Sequence, residues 1–96
     1  SMIDEVMSIK VIGEICNDVA HDFEDELMAA FSVCNSVRVD FSETSYIASY
    51  VMRALLSVQQ IIDEMSNASL AITNLSSAVR DVFEDSGFMD ILNIEE

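Results

Sequence analysis

Residues able to do chemistry are few in this chain and do not converge. Its single histidine, His21, stands among Asp22, Glu24, Asp25 and Glu26. Metal ligation needs several converging donors. No second histidine or cysteine pair accompanies His21, so it reads as a surface residue. The acidic run lacks the ligand spacing and central glycine of a calcium loop and reads as the solvated face of a helix. Two glycines cannot build a dinucleotide fingerprint or a phosphate loop. A Ser-His-Asp triad could be drawn only by choosing a serine arbitrarily. Asp40 has the place of a phosphoacceptor aspartate at a strand end. Such a site also needs an acidic pair after the first strand and a lysine at a later strand end, yet the one lysine is Lys10. Asp40 therefore reads as the cap of the turn after it. The expectation is a protein with no catalytic residue, no metal and no cofactor.

Composition agrees with that expectation and narrows the partners. The 96 residues suit one domain, 1–96, with Ser1-Met2 readable as a non-native remnant. Four Lys+Arg against 18 Asp+Glu give a net charge of −14, which argues against nucleic acid or an anionic membrane as a direct partner. Hydrophobic residues make up 51% of the chain. That is enough for a folded core and too many for a solvated acidic tail. No apolar run approaches the ~20 residues of a membrane helix. Asp4 and Glu5 interrupt any signal-peptide pattern. Cys16 and Cys34 form no CxxC and read as free thiols in a reducing cytoplasm, with a single disulfide between them as the alternative. Oligomeric state stays open.

The elements that would hold these residues follow from two periods. Ile9, Val11, Gly13 and Ile15 alternate with Lys10 and Glu14, which predicts a strand, and residues 2–7 could add an edge strand. Asn17 or Asp18 is placed to cap a helix over 18–34, with Phe23, Leu27, Ala30, Phe31 and Cys34 inward and the acidic run outward. Residues 36–41 read as a second strand and Ser42 to Ser45 as a polar turn. Val51, Ala54, Leu55, Val58, Ile61, Ile62 and Met65 define a second helix, about 48–66. Residues 70–75 read as a third strand. Ser76 or Ser77 caps a third helix, ended by a left-handed Gly87. Residues 88–94 are a short strand or a helical turn. Met28, Met52 and Met65 lie on or beside apolar faces and read as core filling. Alternating strands and helices imply an α/β fold with a largely parallel sheet. Function in such sheets gathers at the carboxyl ends of strands, here 16–18, 42–50 and 74–78.

Three segments carry a resemblance. Gly13-Glu14-Ile15-Cys16 stands where a G-E-L-D turn would be. Val39-Asp40-Phe41-Ser42, followed by Tyr46-Ile47-Ala48-Ser49-Tyr50-Val51-Met52, stands where a D-L/F-S strand end leads to D-S-S/T-G-L. The run from Ser76 to Phe88, with Val79, Phe83, Ser86 and Gly87, fits S-x-x-V-x-x-x-F/L-x-x-S-G-L/F. Over residues 9 to 94 the chain resembles a STAS domain, the fold of bacterial anti-sigma-factor antagonists. The resemblance implies a mixed, mostly parallel sheet of four to five strands with helices packed on it. It also implies a regulatory binding module, not an enzyme, that docks a cytoplasmic serine kinase or anti-sigma factor. In that family the first serine of D-S-S/T-G is phosphorylated, and the matching position is Ser49. Ser45, Tyr46, Ser49, Tyr50 and Arg53 are then the expected partner-binding residues. The chain departs from the pattern at Ala48, Tyr50, Val51 and Cys16. Those departures favour an alternative: an unphosphorylated accessory subunit of a transporter ATPase or signalling assembly.

Overall fold

The structure, a computed structural model, describes residues 3–65, 67–90 and 92–95. The reading of Ser1-Met2 lies outside them. The elements run β1 (Ile3–Ile15), a 3₁₀ turn (Asn17–Val19), α1 (Ala20–Phe31), β2 (Cys34–Ile47), α2 (Ser49–Asp63), β3 (Ser69–Thr73), α3 (Ser77–Ser86), a second 3₁₀ turn (Phe88–Asp90) and β4 (Ile94–Glu95). These strands lie in the order β1-β2-β3-β4, and each pairs with its neighbour in parallel. Residues 88–94 thus hold both a helical turn and the start of a strand.

The helices cover one face of the sheet. Val37, Val39, Leu70 and Ile72 point into a single core with Phe23, Leu27 and Phe31 of α1, Val51, Leu55, Val58 and Ile62 of α2, and Val79 and Phe83 of α3. Phe41 meets Phe83 edge to face, with centroids 6.1 Å apart and planes at 80°. That favoured aromatic geometry ties α3 to β2. On the other face, Val6, Ser8, Lys10 and Arg38 are exposed.

Several boundaries differ from the sequence reading. β1 is one strand paired with β2 along its length, so residues 3–7 extend the first strand and form no separate edge strand. α1 is shorter than 18–34, and Cys34 is a buried residue of β2. Ile61 is exposed at the outer margin of α2. The largest difference is at Ser42–Ser45, expected as a turn and found as strand. Lys10 pairs with Asp40 but Ile12 pairs with Glu43; Gly13 pairs with Thr44 but Glu14 with Tyr46. At each step β2 carries one extra residue, a bulge that keeps the chain extended while rotating its side chains. Gly13, at φ +88°, supplies the left-handed backbone opposite the second bulge.

Hydrogen bonds lock this bulged segment. The buried Thr44 hydroxyl donates to the Val11 carbonyl at 2.7 Å. Ser76 accepts from the Val79 N–H as the cap of α3 and donates its own hydroxyl proton to the Thr44 carbonyl at 2.6 Å. Gly87 ends α3 at φ +81°, the left-handed stop that its place in the sequence predicts. Asp40 accepts from the Ser42 N–H at 2.8 Å and from the Asn74 side-chain amide at 3.3 Å. It caps the segment after it as expected, but that segment continues as strand.

Candidate protein-docking surface

The chain passes from β2 into α2 through Ala48, whose extended backbone (φ −82°, ψ 158°) makes it the N-cap residue. Ala48 is buried, and its N–H donates to the Ile15 carbonyl at 2.9 Å. That bond pins the start of α2 to the end of β1. The alanine side chain carries no oxygen, so the first helical N–H groups must find acceptors elsewhere. Asn17, just beyond β1, provides one: its Oδ1 accepts from the Tyr50 N–H at 3.2 Å. Spacing alone placed Asn17 as a cap for the first helix. It caps the second instead, because the parallel pairing brings the carboxyl ends of β1 and β2 side by side.

Ser49 is the first residue of α2 and is exposed, on the rim expected for a modifiable serine. Tyr50 comes next, with 54% of its surface open. The Arg53 guanidinium carbon lies 5.5 Å from the Tyr50 ring centroid, within cation–π range. Both border a shallow groove of about 310 Å³ between α1 and α2, to which Asn17, His21 and Glu24 also contribute. Ser45 and Tyr46 lie near the end of β2, just before the cap, and Tyr46 is 50% exposed. Tyr50 and Arg53 touch; Ser45, expected in a turn, reaches the surface from the bulged strand, and Tyr46 is exposed beside it. Asn17, His21 and Glu24 were missed as members of this surface, since only the packing of the β1-to-α1 connection and the first turns of α1 against α2 places them there.

The Ser42 N–H and hydroxyl hold the Asp40 carboxyl below the usual carboxylate range, with smaller help from Asn74 and Lys10. Lys10 pairs with Glu43, whose hydrogen bond and charge raise its ammonium above the ordinary lysine value. These groups are tied up in the sheet. Among the described residues no cluster of three His, Cys, Asp or Glu side chains could hold a metal. Cys16, exposed, and Cys34, buried, are free thiols. No described helix is long and apolar enough to cross a membrane.

A parallel sheet with its helices on one face, and a helix opening at an exposed serine after a bulged central strand, define a STAS-type domain. The chain belongs to that family: the family described as "Mlab, STAS domain" matches residues 1–93. Solved structures share the fold. One from Thermotoga maritima, described as an anti-sigma factor antagonist, superposes with a TM-score of 0.84 at 18% identity, covering 100% of this chain and 83% of the other. The anti-sigma factor antagonist SpoIIAA in its unphosphorylated form gives 0.73 at 14% identity over 100% and 84% of the chains. The Bacillus cell fate determinant SpoIIAA in its phosphorylated form gives 0.71 at 16% identity over 100% and 87%. No curated protein matches the sequence.

Proposed function

We propose that this protein is a non-enzymatic, cytoplasmic docking module of the anti-sigma-factor-antagonist kind. It binds a serine kinase or anti-sigma factor through Ser45, Tyr46, Ser49, Tyr50 and Arg53 and is switched by phosphorylation of Ser49. The observation that carries the reading is the exposed Ser49 at the first position of α2. A phosphate there adds about −1.5 to −2 charge beside the positive end of the helix dipole, so it leaves the helix intact. Arg53 stands one turn further on, the i+4 partner of residue 49. In this reading the phosphate draws the guanidinium off the Tyr50 ring, so both the charge and the shape of the surface change.

A second reading is favoured by Ala48, Tyr50 and Val51, which stand where the family pattern has Asp, a second Ser or Thr, and Gly. Here the same surface docks without modification, as an accessory subunit of a transporter ATPase or a signalling assembly. Intact-mass measurement of the protein isolated from its own cells, beside a Ser49→Ala variant, separates the two. One added phosphate that the variant lacks supports the switch. An unmodified protein that co-purifies with a transporter ATPase selects the second reading. If Tyr50→Ala plus Arg53→Ala loses neither kind of partner, both readings fail.

A further inference from the structure

A second surface lies on the far side of α1 from the docking groove. Among the described residues, β1 is an outer strand of the sheet, paired only with β2. Alternate N–H and C=O groups along its free side therefore face outward, an open template for another strand. Beside that edge runs a cavity of about 400 Å³ between β1 and α1. Ile9, Ile15, Val19 and Phe23 give it an apolar floor, and Asp22 and Glu26 stand on its helical wall. Lys10, held by Glu43, and Glu14 also border it, as does Ile12, which leaves 66% of its surface exposed at the strand edge.

These features specify a ligand. Asp22 and Glu26 are four residues apart on a helix, about 6 Å along its axis. Side chains on one face of a strand repeat at i, i+2, about 6.6 Å. Two lysines or arginines at i and i+2 of a strand added to β1 can lay their aliphatic stems over Ile9, Val19 and Phe23 and place their charged heads at Asp22 and Glu26. The intervening residues of the added strand can cover Ile12, exposed at the rim of the same groove, which calls for apolar side chains. The net charge of −14 favours a cationic partner and opposes a second copy of this chain.

We infer that the β1 edge and the groove under α1 form a second docking site, which captures an extended basic segment of a partner protein, alternating apolar and Lys/Arg residues, by β-strand addition. This site does not depend on Ser49.

The test is an NMR titration of the full ¹⁵N-labelled chain with an alternating valine–lysine octapeptide, beside serine–lysine and valine–glutamate octapeptides. The expected result is saturable shifts of amides in residues 9–15 and 19–26 with valine–lysine only. Ile12→Asp and, separately, Asp22→Lys plus Glu26→Lys should each weaken binding about tenfold or more, the effect of losing one good contact; Ser49→Asp should leave it unchanged. Ile12, Asp22 and Glu26 are exposed, and retained spectral dispersion of each variant shows that it is folded. Equal binding of serine–lysine, or an equal loss on reversing Asp81, Glu84 and Asp85 of α3, reduces the effect to bulk charge and overturns the site. So does broadening of the β1 amides with protein concentration alone, which marks self-pairing, or an absence of shifts at β1.

Discussion

Two hydrogen bonds converge on Asp40, one from the Ser42 backbone and one from Asn74 beyond β3. Both favour the ionised carboxylate, so its folded-state pKa lies below the unfolded value. The stabilisation is therefore present above the unfolded carboxylate pKa and lost as pH falls through the lowered one. Asp40→Asn keeps an acceptor for Ser42 but cannot titrate. Urea unfolding of the variant should show a shallower acid limb than wild type below about pH 4, and an unchanged limb would mean that Asp40 does not carry the acid sensitivity. Thr44 makes a different prediction. Its buried hydroxyl is the partner of the Val11 carbonyl, so Thr44→Val fills the same space but strands a buried acceptor. The expected loss is about 1–3 kcal/mol, read from the urea midpoint at constant slope. Arg53 should behave in the opposite way. Arg53→Ala removes an exposed side chain stacked on Tyr50. Stability should stay within about 0.5 kcal/mol while partner affinity falls about tenfold or more, measured by calorimetric titration with the captured partner.

Among the elements, those with a regular period were readable from the residues alone. α2 declared itself by Val51, Leu55, Val58 and Ile62, and α3 by its Ser76 cap and its Gly87 stop. β2 did not. Its buried residues run Val37, Val39, Phe41 at a spacing of two, then Phe41, Thr44, Ile47 at a spacing of three. The two bulges cause that change, and they are a property of pairing with β1, invisible in β2 itself. Ser42, Glu43 and Ser45 look like a turn because the bulge turns them all outward. The candidate docking surface was half legible for the same reason. Ser49, Tyr50 and Arg53 were placed by the resemblance to the D-S-S/T-G segment, which puts them in the first turns of α2, whereas Asn17 reaches α2 only across the sheet. The Ser76 cap is the junction where these effects meet, since its hydroxyl serves both α3 and the bulged segment of β2. Ser76→Ala should cost at least the ~1 kcal/mol of an ordinary cap, and hydrogen exchange should speed up at Thr44 as well as in the first turn of α3. Acceleration confined to α3 would show that the bulge holds without it.

At the scale of the whole molecule, the sheet and the charge pull in different directions. Parallel sheets are commonly covered on both faces, yet here the face carrying Val6, Ser8, Lys10 and Arg38 is open. The polar members of that face explain why β1 and early β2 read as alternating strands and not as continuous apolar runs. A domain with one covered face has a modest core, and it must hold together 18 acidic residues against four basic ones. Net charge far from zero destabilises a compact state through self-repulsion, and Lys10–Glu43, half exposed on both sides, offsets little of it. Salt should therefore stabilise this protein. Raising ionic strength from about 0.01 M to 0.1 M shortens the screening length from about 30 Å to about 10 Å. The longest dimension of the molecule is 37 Å, so repulsion across it is then largely screened. A gain of about 1 kcal/mol would raise the melting temperature of a domain this size by roughly 4–8 °C. Circular-dichroism melts in sodium chloride at pH 7 measure it. A melting temperature that falls with salt would mean that attractive pairs outweigh the repulsion, and the acidic surface would then be a stabilising network, not a standing cost that a basic partner relieves.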